Sequence, residues 1–201
     1  MKIIKINPKK PDESIIDDVI ETLKQGGVIV YPSDTCYGLG ADISNIFAIE
    51  KIYRIKNRDN KQPLSIIVKN IEHLQKHALV KSEQKTILQN HLPGPFTFLL
   101  LNLNYKYIKL SKIGVRIPDY LITQLIANKF NKPYATTSAN ITKNKPCYSV
   151  GEFLKQLNKS VYLPDLILDA GPLPINPPST IVDLTGEKPI ILRQGGKKLV
   201  I

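Results

Sequence analysis

A chain of 201 residues that is 42% hydrophobic and 22% charged is long enough to bury a sizeable core and too apolar to stay disordered. Its longest apolar run, around Phe96 to Leu101, falls far short of the roughly 20 residues that span a bilayer, and Met1 to Ile6 is too short for a signal-peptide core, so a soluble, cytoplasmic protein is expected. The excess of 28 basic over 17 acidic residues, a net charge of +11, favours polyanionic partners such as nucleotides or RNA, and two cysteines, Cys36 and Cys147, fit a reducing compartment.

Asp12 to Lys24 carries Ile15, Ile16, Val19, Ile20 and Leu23 at helical spacing, with Gly26-Gly27 after it, and predicts a helix. Val28 to Pro32 reads as a buried strand ended by proline. Ser33, Asp34 and Thr35 follow, then Gly38 and Gly40, the residue types with which α/β proteins build a crevice at the carboxyl edge of a sheet. Ser44 is expected to cap a second helix whose inner face is Ile46, Phe47, Ile49, Ile52 and Tyr53 and whose end is Lys56-Asn57-Arg58. Pro63 to Val68 predicts a second buried strand, and Asn70 to Ala78 and Ser82 to His91 predict short helices. His73 and His77 stand four apart like a helical metal pair, but without a third ligand they are expected to be solvated.

After the break at Pro93-Gly94-Pro95 come a strand from Thr97 to Leu103 and a short one at Gly114 to Pro118 that contains Arg116. A helix is expected over Asp119 to Phe130, with Leu121, Ile122, Leu125 and Ile126 inward. Pro133 to Asn140 predicts another strand ending in hydroxyls, Ser149 to Leu157 a helix, and Leu166 to Asp169 a strand. Gly171 to Pro178 holds four prolines and reads as a rigid loop. Two last strands, Ser179 to Leu184 and Pro189 to Arg193, are expected to form a hairpin around Thr185-Gly186. Alternation of this kind without a linker predicts a single α/β domain over residues 1–201, with a mixed sheet.

Common nucleotide signatures are missing: there is no GxxxxGK[ST] loop, and Gly38-x-Gly40 lacks a third glycine. No CxxC pair and no nucleophile elbow are present. What remains is a set of predicted strand ends bearing Ser33, Thr35, Thr136, Ser138, Asn140, Ser179 and Thr180, accompanied by Lys56, Arg58, Arg116 and Arg193. Hydroxyls and amides with fixed cations suit an oxyanion-rich ligand, a carboxylate or a phosphate. Of the 28 basic residues four are arginines, Arg54 among them, so in this lysine-rich chain the arginines mark places where a planar fork is needed. Both cysteines sit beside these polar motifs, which suggests a shared crevice.

In combination, YPSDTCYGLG, KNR, LPGPFTFLL, GVRIP, TTSAN, STIVD and ILRQGG resemble, in order, the motifs of the YrdC/Sua5 family, the L-threonylcarbamoyladenylate synthases. The likeness runs from about Gly26 to Gly196, and Lys56, Arg58, Ser138 and Asn140 match the family's most specific mark. It implies a twisted mixed β-sheet flanked by helices with a positively charged concave crevice. The implied reaction condenses L-threonine, bicarbonate and ATP, with Mg²⁺, to threonylcarbamoyl-AMP and pyrophosphate. The product would feed N6-threonylcarbamoyladenosine modification of tRNA through a downstream threonylcarbamoyl transferase complex. By the same resemblance Ser33, Thr35, Arg116, Thr136 and Ser179 belong to threonine. Lys56, Arg58, Ser138, Asn140 and Arg193 belong to ATP, with Lys112 and Cys147 as further contacts. The competing reading is a tRNA- or double-stranded-RNA-binding module without catalysis, which the net charge alone would serve.

Overall fold

The computed structural model describes residues 1–60, 62–103, 111–158 and 160–200. The chain enters as strand β1 (Lys2–Lys5) and helix α1 (Glu13–Lys24), which is capped by the Asp12 carboxylate accepting from the Ser14 amide at 2.9 Å. Strand β2 (Ile29–Tyr31) then turns through the 32–37 loop into β3 (Gly38–Asp42), and α2 (Ile46–Lys56) follows. Next come β4 (Ser65–Ile67), α3 (Ile71–Gln75), β5 (Ala78–Leu79), α4 (Ser82–His91) and β6 (Phe96–Asn102). The remainder is β7 (Lys112–Arg116), α5 (Leu121–Phe130), β8 (Tyr134–Ser138), α6 (Val150–Leu157), β9 (Leu166–Asp169), β10 (Thr180–Asp183) and β11 (Ile190–Arg193).

Among the described residues the strands form one mixed sheet in the order β1-β9-β2-β3-β8-β4-β7-β6-β10-β11, with β5 added on β6. Strand β3 runs antiparallel to both β2 and β8, whereas β4 and β7 are parallel, as are β6 and β10. Both faces are covered, which is why the central strands are apolar on both sides. Val28, Val30 and Leu39 pack in one core with Ile52 and Ile55 of α2 and Phe153 of α6. Ile29 and Tyr31 point the other way, toward Ile16, Val19 and Leu23 of α1 and Ile122 and Ile126 of α5. No helix among the described residues is long and apolar enough to cross a membrane.

Several expectations change. Asn45, not Ser44, caps α2 by accepting from the Ala48 amide at 3.1 Å, while the Ser44 hydroxyl donates to Asp42 at 2.7 Å. Ala48, Ile52 and Ile55 of this helix face the core, whereas Phe47 is 79% exposed. Helix α5 begins at Leu121, which is itself exposed. Helix α3 stops at Gln75 because Ala78 leaves to pair with Asn102 across β5 and β6. His73 is buried, not solvated, with its ring edge-to-face on His77 at 4.9 Å. Strands β1 and β3 carry no strong strand signal in sequence. Strand β1 is short and basic, and β3 is glycine-rich, a composition that intrinsic propensity disfavours. Glycine at position 38 is nonetheless required, because a Cβ there would lie 2.8 Å from the Tyr31 ring.

Candidate functional site

The sheet order brings chain-distant strand ends to one place. A cavity of about 470 Å³ opens there, and its wall includes Ser33, Thr35, Arg58, Arg116, Thr136, Ser138, Ser179 and Arg193. Arg58, Arg116 and Arg193 are the charged residues of that wall among the described residues, three of the chain's four arginines. Further wall positions are Tyr31, Cys36, Thr97, Thr137, Tyr148 and Asn176.

The loop after β2 folds around the Ser33 hydroxyl, which donates to the Cys36 carbonyl at 2.6 Å and lies 3.3 Å from the Thr35 hydroxyl. Next to it Arg116, at the end of β7, donates through one terminal nitrogen to Asp34 at 2.9 Å. The Arg116 Nε and the second Asp34 oxygen are both buried without a partner. Below them the Tyr31 and Thr136 hydroxyls are hydrogen-bonded. Arg193, also in the wall, grips Ser179, with Nε and a terminal nitrogen on its carbonyl at 3.1 and 2.9 Å and that nitrogen also 3.1 Å from its hydroxyl. The Ser179 hydroxyl lies 3.0 Å from that of Thr97, which β6 supplies because β10 runs parallel beside it.

The KNR element splits. Asn57 ends α2 in a left-handed conformation, φ 47°, which reverses the chain so that Lys56 and Arg58 face different surroundings. Arg58 reaches the cavity wall, donating to Thr137 at 3.2 Å, to the Pro63 carbonyl at 2.8 Å and to Gln62 at 2.8 Å. Lys56 turns into the protein, 3% exposed, and its ammonium donates to the carbonyls of Ser138 at 2.5 Å and Asn140 at 2.9 Å and to Asn140 Oδ1 at 3.0 Å. Asn140 also accepts from the Ser138 hydroxyl at 2.6 Å and donates to the Asn144 carbonyl at 2.7 Å. Burial first, and the Arg58 charge second, pull the Lys56 pKa down to about 7. Burial likewise pushes the Cys36 thiol up.

Of the expected site residues, Ser33, Thr35, Arg58, Arg116, Thr136, Ser138, Ser179 and Arg193 therefore meet in one cavity. Lys56 and Asn140 stand behind its wall, joined to it through Ser138. Lys112 lies outside, exposed on β7 and ion-paired to Asp183 at 2.7 Å. Cys147 is fully buried, accepting from Gln156 at 3.2 Å, while its neighbours Pro146 and Tyr148 reach the cavity. Sequence reasoning missed Tyr148, Thr97 and Asn176. The Tyr148 hydroxyl donates to the Asn176 carbonyl at 3.1 Å, and the Asn176 amide donates to the Asp34 carbonyl at 3.0 Å, pinning the proline-rich loop to the rim. Only the aromatic beside Cys147 offered a local signal for this link.

Comparison with known proteins bears on this arrangement. Residues 21–195 match the Sua5/YciO/YrdC family model, described as "Telomere recombination". A threonylcarbamoyl-AMP synthase of Photobacterium profundum is 32% identical over 151 residues, covering 72% of this chain and 82% of its own. The crystal structure of E. coli YciO matches with a TM-score of 0.86 at 29% identity, over 97% of this chain and 96% of that one. P. abyssi Sua5 complexed with L-threonine matches with a TM-score of 0.89 at 27% identity, over 98% of this chain and 58% of the longer Sua5 chain.

Proposed function

The chain belongs to the Sua5/YciO/YrdC family, and we propose that it condenses L-threonine, bicarbonate and ATP to threonylcarbamoyl-AMP and pyrophosphate. The observation that carries this reading is the convergence of Arg58, Arg116 and Arg193 with five hydroxyl side chains of Ser33, Thr35, Thr136, Ser138 and Ser179 in one cavity. The relatives named as threonylcarbamoyl-AMP synthase and the threonine-bound Sua5 support it.

In this reading Arg116 takes the amino-acid carboxylate, and Ser33, Thr35, Thr136 and Ser179 surround the hydroxyl and methyl. Arg58, Ser138 and Arg193 take the phosphates. The threonine nitrogen adds to the carbon of bicarbonate with loss of water, giving a carbamate. A carbamate oxygen then attacks the α-phosphorus of ATP, and the phosphoanhydride bond breaks to release pyrophosphate. Charge builds on nonbridging and leaving oxygens, so positioned cations and N–H or O–H donors do most of the work, and no dedicated general base is demanded. The carboxylate beside the wall, Asp34, is held by Arg116 at 2.9 Å, and in this reading Mg²⁺ enters as part of the MgATP substrate. Lys112 and Cys147 are given no ligand contact, because the first is ion-paired outside the cavity and the second is buried beneath it. The product fits a cytoplasmic route in which a separate transferase passes the threonylcarbamoyl group to tRNA.

The test is pyrophosphate release by the purified chain. It should require threonine and bicarbonate together, since neither alone supplies the carbamate. Serine should serve poorly, because the missing methyl is worth roughly 1–3 kcal/mol in a shaped pocket. Equal release without threonine would overturn the assignment.

A further inference from the structure

We infer that Lys56 touches no substrate but positions the Ser138–Asn140 turn from behind the cavity wall, and that it takes up a proton when a polyphosphate fills the cavity. The inference rests on the reading of the cavity as a nucleotide site. An ammonium has three N–H groups, and here all three have acceptors: the Ser138 carbonyl at 2.5 Å, the Asn140 carbonyl at 2.9 Å and Asn140 Oδ1 at 3.0 Å. No donor remains for a phosphate unless the turn itself comes apart. Asn140 Oδ1 is also the acceptor of the Ser138 hydroxyl, so the same ammonium aims the hydroxyl that lines the cavity. The Lys56 carbonyl holds the far end of the turn, accepting from the Thr142 amide at 2.8 Å.

The protonation state follows from the same geometry. A neutral amine has two donors and a lone pair, which would face one of three carbonyl-type oxygens, so this arrangement calls for the cation. The surroundings oppose it. Lys56 is buried, and among the described residues its ammonium meets carbonyl-type oxygens and no carboxylate. The ionisable groups facing it are Arg58, whose charge repels, and the thiols of Cys36 and Cys147, both pushed upward by burial and so neutral. The cation is thus demanded by its acceptors and resisted by its environment, a balance that holds its pKa near 7. A ligand bringing several negative charges to the other side of Ser138 supplies the missing counter-charge and tips the balance toward protonation.

Calorimetry in buffers of different ionisation enthalpy tests this at about pH 8, with MgATP and with inorganic pyrophosphate as separate probes. With a free-state pKa near 7, wild type should take up as much as about 0.9 proton more than Lys56→Met on binding either probe, the variant correcting for the proton that pyrophosphate itself releases. Lys56→Met should abolish this extra uptake and lower turnover by about 10²-fold or more. If that variant fails to fold, Lys56→Gln, which keeps two N–H donors, should likewise bind without the extra uptake. Equal proton uptake by wild type and a folded variant would overturn the inference. Extra uptake with pyrophosphate but no binding of MgATP would leave Lys56 as inferred and sink the nucleotide reading, whereas no binding of either probe would sink both.

Discussion

At the scale of single residues, the arginines differ by what their forks do. Arg116, a residue of the cavity wall, spends one terminal nitrogen on Asp34 while its Nε stays buried without a partner, and Arg193 holds Ser179 with two nitrogens at once. Lysine keeps the charge but cannot divide it in this way. Arg58→Lys, Arg116→Lys and Arg193→Lys should each lower kcat/KM by about tenfold or more, whereas Arg54→Lys should stay near wild type. Arg54 is exposed outside the cavity, stacked 5.3 Å over the Tyr162 ring, a contact that a lysine can also make. Near-normal activity in Arg58→Lys and Arg116→Lys would show that fork geometry is not what these positions need. His73 carries a second prediction. Burial, then His77, Lys69 and Lys76, bring its pKa down from 6.5 to about 4. The unfolded chain therefore binds more protons than the folded one between those values, and stability should fall as pH drops through that window. Urea midpoints at about pH 7 and pH 4.5 should separate less in His73→Gln than in wild type; equal separation would exclude His73 as the source.

At the scale of elements, the chain after β11 is docked against the start of β10 by close backbone approach. A Cβ on Gly195 would meet the Pro178 carbonyl oxygen at 2.1 Å and the Thr180 nitrogen at 2.5 Å. The same contact is closed by the Thr180 hydroxyl donating to the Lys197 carbonyl at 2.5 Å. Since Ser179 and Arg193 meet here, Gly195→Ala should cost about 1–3 kcal/mol of stability and lower activity together with it. Gly186 in the hairpin loop is the control. Its added Cβ would come no nearer than 3.8 Å to the Lys188 carbonyl, so Gly186→Ala should stay within about 0.5 kcal/mol. Chemical denaturation of the two variants decides the matter, and equal stability would mean that the tail is not held by this contact.

At the scale of the whole molecule, a net charge of +11 is spread over 201 residues, while the cavity wall gathers three cations and no anion among the described residues. Self-repulsion of that size opposes the compact state and is screened by salt. The melting temperature should rise by a few degrees between about 50 and 300 mM KCl, and a fall would mean that surface ion pairs such as Lys2–Asp18 outweigh the repulsion. Binding of a polyphosphate should stabilise more at the low-salt end.

The sequence by itself determined most of the alternation of strands and helices and the residue types that gather at the cavity. Apolar runs such as Val28 to Tyr31 state their burial directly, and hydroxyls, glycines and arginines at strand ends have no reason to sit there in a plain core. Tertiary structure alone decided which of those residues face the cavity. Strand β3 exists because β2 and β8 supply its hydrogen bonds, whatever its own propensity. The direction of Lys56 was set by one left-handed residue, Asn57, and by three acceptors contributed from more than eighty positions away in the chain. Tyr148 lines the cavity where Cys147 was expected to, because the chain between β8 and α6 buries one and exposes the next to the cavity. Motif spacing reports residue types along the chain, whereas the direction of a side chain depends on partners brought from elsewhere by folding.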